Sequence, residues 1–202
     1  MKFLSDKILK RVLFVLIIVA VYFLASAFYI PAKAILAQQL LHSAWQSSKA
    51  TGEPVKPWPW ADSWPVARLR IPELNIDQII LDGDHGSSLA FAPGQRVYHY
   101  ADKIAGLTMI SAHRDSHFKF LQYASLGQSI EIENEFGELS HYRIEDIQII
   151  NSKNMGLRAP EHGQWLTLVT CYPFNALNSR GLLRYVVFAE KIDPCANNVC
   201  LI

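Results

Sequence analysis

One stretch limits what this chain can become before anything else does. From Val12 to Ile30 the sequence reads VLFVLIIVAVYFLASAFYI, without a single charge. A helix needs roughly 20 apolar residues to cross the hydrocarbon core of a bilayer. Lys2, Lys7, Lys10 and Arg11 precede the run, and only Lys33 closely follows it. The positive-inside bias therefore predicts residues 1–11 in the cytoplasm, a transmembrane helix over 12–30, and everything beyond on the outer side. The run is longer than the roughly 7–15 residues of a signal-peptide core, which favours an uncleaved anchor. A cleaved signal peptide stays open as the alternative, because Ala25–Ala27 spells an A-x-A-like site.

The remainder divides by texture. Residues 31–50 place Ile35, Leu36, Leu40, Leu41 and Trp45 at helical spacing, an amphipathic helix continuing from the membrane. TGEPVKPWPWADSWP follows, and its prolines make residues 51–65 a stiff linker. Trp58, Trp60 and Trp64 in that linker suit either a membrane interface or the edge of a domain. Net charge is only +1, and no basic stripe with interleaved aromatics occurs, so nucleic acid is not an expected partner.

From Val66 the pattern is short β-like runs, and residues 66–193 are long enough to enclose one core. VARLRIPELNIDQIIL alternates on either side of Pro72, and Leu107–Ala112 is a short apolar run. In SIEIENEFGELSHYRIEDIQII, Ile130 and Ile132 alternate with Glu131 and Glu133, and NEFG makes a turn. On the return strand Tyr142 and Ile144 share one parity, Ile147 and Ile149 the other, so the phase slips near Glu145 and Asp146, as at a bulge. WLTLVT and Leu183–Ala189 add two strands, and brief helices are expected at Ser88–Phe91 and Phe118–Ala124. Many short strands with turns between them predict a mainly β sandwich or a small closed barrel. Residues 194–202 form a tail. Of the three cysteines, Cys195 and Cys200 can close a small loop there, which leaves Cys171 as the odd thiol.

Cys171 ends an apolar strand and precedes Tyr172 and Pro173, which stop it. A free cysteine in such a run can simply fill the core. Arg184 argues for chemistry, since it opens the next apolar strand and would lie beside the sulfur if the two strands pair. A fixed positive charge there favours a thiolate or a developing oxyanion. Arg180 competes for the role from a loop. His113 also follows a strand directly, and imidazole is suited to proton transfer near neutral pH. His113 and His117 are spaced i, i+4, but Arg-Asp-Ser separates them, so the zincin pattern is missing. A serine nucleophile elbow, G-x-S-x-G, is missing too.

Together these segments resemble the sortases, membrane-anchored cysteine transpeptidases of bacteria. TLVTC (Thr167–Cys171) resembles their T-L-x-T-C signature, SAHRDSHF their histidine motif, and LRYVVFAEKI their last strand with its arginine. ARLRIPELNID is similar to their first strand and SLAFAPGQ to the segment before the histidine strand, all in family order from about Val66 to Ile192. Ala112 stands where glycine is usual, and Gln95 where histidine is. Some sortases bind calcium, but the carboxylates of IENEFGE make no convincing site, so no cofactor or metal is expected. The resemblance implies a closed eight-stranded β-barrel with short helices. It implies a groove holding Cys171 as nucleophile, His113 as proton donor and Arg184 on the substrate and oxyanion, with Thr170 contributing to the oxyanion site. The substrate class would be a protein with an LPxTG-like C-terminal signal, cleaved between Thr and Gly and passed to an amine or to water.

YPFNAL…LRYVV after the cysteine is most similar to the sortases of Gram-negative, often marine, proteobacteria. Those tend to serve one dedicated substrate protein, and the outer compartment would then be the periplasm, with the chain in the inner membrane. Two other readings remain at this point: a non-catalytic periplasmic binding barrel on a tether, and a zinc hydrolase using His113, His117 and Cys171.

Overall fold

In strand β1 (Pro65–Ile71) every second residue, Ala67, Leu69 and Ile71 among them, is buried, while Val66, Arg68 and Arg70 are half-buried. Period-two burial of this kind is what a sheet closed around its own core requires. The computed structural model describes residues 6–99, 106–154, 163–176 and 181–193. The other strands are β2 (Ile76–Asp82), β3 (Gly94–His99), β4 (Gly106–Ser111), β5 (Ser129–Asn134), β6 (Leu139–Asn151), β7 (Trp165–Cys171) and β8 (Leu183–Ile192). They close into a barrel in the order β1-β2-β3-β4-β7-β8-β6-β5. The mainly β, closed eight-stranded barrel expected above is therefore the observed fold.

The core of the barrel is aliphatic, built from Leu69, Ile71, Ile80, Ile110, Ile130, Ile144, Leu166, Leu168 and Val187, with Phe118 fully buried among them. The phase slip in β6 is real. Register against β8 shifts between Ile144 and Asp146, and Tyr142, Ile144 and then Ile147 all pack toward the core. One extra residue lets a long strand keep its apolar side inward past the bulge. The expected helix at Phe118–Ala124 is a 3-10 turn, Lys119–Tyr123, and that at Ser88–Phe91 is a single turn, α2 (Gly86–Leu89).

β3 is absent from the sequence reading and present in the structure. It pairs parallel with β2 through only Leu81↔Gly94 and Asp82↔Gln95, then antiparallel with β4 along its whole length. Its alternation is too short and too polar to stand out, and Gly94 explains why it can start where it does. A Cβ on Gly94 would lie 2.1 Å from the Gly83 carbonyl oxygen, so only glycine allows β2 and β3 to meet there.

The chain divides into two units, Met1–Gln39 and Leu40–Ile202. One helix, α1 (Asp6–Thr51), contributes to both. It runs without interruption through Pro31. Every side chain from Ile8 to Ile30 is exposed, and α1 is the one helix among the described residues long and apolar enough to cross a bilayer, a profile a signal sequence shares. Within the second unit the last turns of α1 belong to the domain. Leu41 and Trp45 are fully buried, Leu41 packs with Leu81 and Ala92, and Lys49 pairs with Glu133 of β5. In the linker, Trp58 meets Phe91 edge-on at 5.0 Å, so it covers the domain, while Trp60 is 80% exposed. Cys195, Cys200 and Arg180 lie outside the described residues.

Candidate active site

The site is set by which strands are neighbours. β4 and β7 are distant in sequence yet run parallel, in a register that reaches Ser111↔Val169. Beyond it, the Ala112 N–H donates to the Val169 carbonyl (3.2 Å), and the Thr170 hydroxyl donates to the Ala112 carbonyl (2.7 Å). His113 and Cys171 are the next residues on the two chains. The pairing thus brings the ends that carry imidazole and thiol side by side.

Alternation fixes the face. Leu168 pairs with Val187 on the core side, whereas Val169 pairs with Val186 in a separate outer cluster with Met109, Phe188, Ile150 and Trp165. Cys171 pairs with Arg184 at the parity of Val169 and Val186, so thiol and guanidinium share the barrel's outer face. Cys171 is a half-buried free thiol. Arg184 is half-buried and donates from Nη1 to the carbonyls of Gly181 (2.7 Å) and Leu183 (3.0 Å), which orient the guanidinium. His113 is exposed, and its carbonyl accepts from the N–H of Phe118, whose ring plugs the core beneath the turn.

Thr170 has the opposite parity from Cys171 and is 2% exposed. Its hydroxyl is committed to Ala112 inside the barrel, so what it visibly does is hold the histidine strand against the cysteine strand. His117 is half-buried, and burial first, then the nearby His113 imidazole, push its pKa below the ordinary histidine value, a hydrogen bond to the Ala90 backbone pulling the other way. Among the described residues no three His, Cys, Asp or Glu side chains gather as a metal site, so His113, His117 and Cys171 do not form one.

After Cys171 the chain turns through a cis Tyr172–Pro173 bond. Tyr172, Phe174 and Tyr185 pack as an aromatic triangle, with centroids 5.2–6.2 Å apart. Beside it lies a pocket of about 550 Å³, with Tyr172, Pro173 and Phe174 on one side and Arg114, Asp115, Lys119 and Gln122 on the other. The sequence pointed to Cys171, His113 and Arg184 as candidates. It gave Arg114 no role, although Arg114 follows the histidine directly, is 7% exposed and donates from Nη2 to the Ala176 carbonyl at 2.8 Å.

A family model described as "Sortase domain" matches residues 69–192. Sortase D of Bacillus subtilis (strain 168) is 25% identical over 125 residues, which cover 61% of this chain and 62% of that protein; the chain thus spans under two thirds of that relative's length. Among solved structures, sortase A from Corynebacterium diphtheriae superposes with a TM-score of 0.58 at 19% identity, covering 80% of this chain and 86% of that one. A Clostridium perfringens sortase D5 transpeptidase gives 0.56 at 18%, covering 78% and 96%. These two likenesses are of fold.

Proposed function

The chain belongs to the sortase family, and from that premise we propose that it is a membrane-anchored cysteine transpeptidase acting on an LPxTG-like sorting signal. The family supports a cysteine transpeptidase in general; the assignment of steps to residues is our reading. The observation that carries it is the shared outer face of Cys171 and Arg184, with His113 tied to the same strand end through Ala112 and Thr170.

Cys171 Sγ, as thiolate, attacks the threonine carbonyl of the signal. The carbonyl electrons move to oxygen, and Arg184 stabilises that oxyanion from across the strand pair. Collapse breaks the Thr–Gly bond, and His113, as imidazolium, gives its proton to the departing glycine amine. A thioester remains on Cys171. An incoming amine, or water, attacks it and loses a proton to His113, and the Cys171 thiolate is released. Thr170 keeps the two strand ends in place for both steps.

The positive-inside pattern and the apolar helix support an anchor in the inner membrane with the barrel outside. The YPFNAL…LRYVV sequence supports the Gram-negative group, hence a periplasmic barrel with one dedicated substrate protein. The test uses full-length protein in detergent micelles with a quenched LPxTG peptide. Wild type should cleave it between Thr and Gly, and Cys171→Ala should not. Equal turnover by both proteins would end the assignment.

A further inference from the structure

Bonds join the turn that carries His113 to the segment that carries Cys171 on either side of both residues. One joint lies before both residues, where the Thr170 hydroxyl meets the Ala112 carbonyl. The other lies beyond both, where Arg114 reaches across 62 residues of sequence to the Ala176 carbonyl. His113 and Cys171 are thus enclosed between two clasps that connect the same pair of segments. The second clasp is unusual in its chemistry. A guanidinium is costly to remove from water, yet Arg114 is 7% exposed, beneath the Tyr172–Asn175 turn and the pocket it borders. One of its bonds is made to a backbone carbonyl, which fixes the position of that segment. A planar, permanently charged fork suits that task better than a flexible ammonium.

We propose that Arg114 is a positioning residue, which holds the segment after the nucleophile against the histidine turn and so keeps Cys171 and His113 in register for proton transfer. The proposal rests on reading Cys171 and His113 as a working pair. Without the Arg114 bond to Ala176, the two segments would stay joined at Ala112, before both residues, and the parts beyond that joint would be held less firmly. Small misplacements of reacting groups are expensive, a shift of about 1 Å being able to cost roughly 100-fold in rate.

The test has one arm that needs no sorting peptide. The alkylation rate of Cys171 by iodoacetamide is followed against pH in full-length wild type, Arg114→Gln, Arg114→Lys, His113→Gln and the Arg114→Gln/His113→Gln double variant, with unfolding midpoints measured alongside. If Arg114 acts through the pair, Arg114→Gln takes on the pH profile of His113→Gln, and the double variant adds nothing further. Arg114→Lys, which keeps charge and bulk and serves if the glutamine variant does not fold, shifts part of the way. In the second arm, acylation by the peptide falls roughly 10–100-fold in Arg114→Gln with little change in KM. A wild-type profile in both Arg114 variants, while His113→Gln differs, overturns the proposal and leaves the proposed function standing. So does an additive double variant. If His113→Gln itself keeps the wild-type profile, the pair and the proposal fall together.

Discussion

A buried hydroxyl shows best how residue identity becomes chemistry in this molecule. Thr170 precedes Cys171, and the resemblance implies that it contributes to the oxyanion site. Its hydroxyl bonds the carbonyl of Ala112, the residue before His113. That partner was illegible, because it exists only through the parallel pairing of β4 and β7. Thr170→Val should leave the fold intact but cost roughly 1–3 kcal/mol, the usual penalty for a buried polar partner left unmade. Denaturant unfolding would measure it, and peptide cleavage should fall as the histidine strand loosens. For Arg184 the argument was legible, since a charged residue opening an apolar strand opposite a terminal cysteine has few structural uses. Arg184→Ala should lower kcat by about 10²–10³, the range for loss of one oxyanion donor, with lysine restoring only part of it. A loss confined to KM would instead make Arg184 a substrate-binding group.

At the scale of elements, hydrophobic alternation revealed the strands that are regular and concealed the one that is not. The β6 bulge could be read from parity alone, because burial on one side forces the apolar phase to slip where an extra residue enters. β3 could not, since its place depends on a backbone contact at Gly94. Gly94→Ala should therefore destabilise the barrel, by the roughly 1–3 kcal/mol typical of overpacking, although it adds a single methyl group. A variant as stable as wild type would mean that β2 and β3 can separate freely. The β1–β2 pairing also carries an ion pair, Arg68 with Asp77, whose Nε–Oδ1 distance is 2.7 Å. The hydrogen bond from Arg68, more than its charge alone, lowers the Asp77 carboxyl below its ordinary value of 3.8, against a smaller effect of burial. A depressed folded pKa stabilises above the unfolded value and loses that effect as pH falls through the folded one. The difference in stability between wild type and Asp77→Asn should therefore be present at neutral pH and disappear in strong acid. It should stay within about 1 kcal/mol, because both side chains reach solvent.

The whole molecule combines what the chain announces with what only closure creates. The apolar run at the N-terminus, the β-rich remainder and the order of cysteine, histidine and arginine were readable because each is local. Closure of the barrel, the β4–β7 neighbourhood and the role of Arg114 were not, because each joins residues far apart in sequence. The last turns of α1 belong with this second group. Amphipathic spacing predicted a helix, while the structure makes Leu41 and Trp45 fully buried parts of the domain. Trp45→Ala should cost roughly 3–5 kcal/mol, as for other large buried side chains, read from unfolding of full-length protein in detergent. If it were neutral, the helix end would be a tether and no part of the core. The central claim, that the thiol at the end of β7 forms the acyl-enzyme, is tested most directly by intact and peptide mass spectrometry after incubation with an LPxTG-type peptide in the absence of added amine. An adduct carrying the peptide through its threonine, located on Cys171 and labile to hydroxylamine, is the expected result. Cleaved peptide with no adduct on Cys171 under any trapping condition, or cleavage that persists in Cys171→Ala, would contradict it.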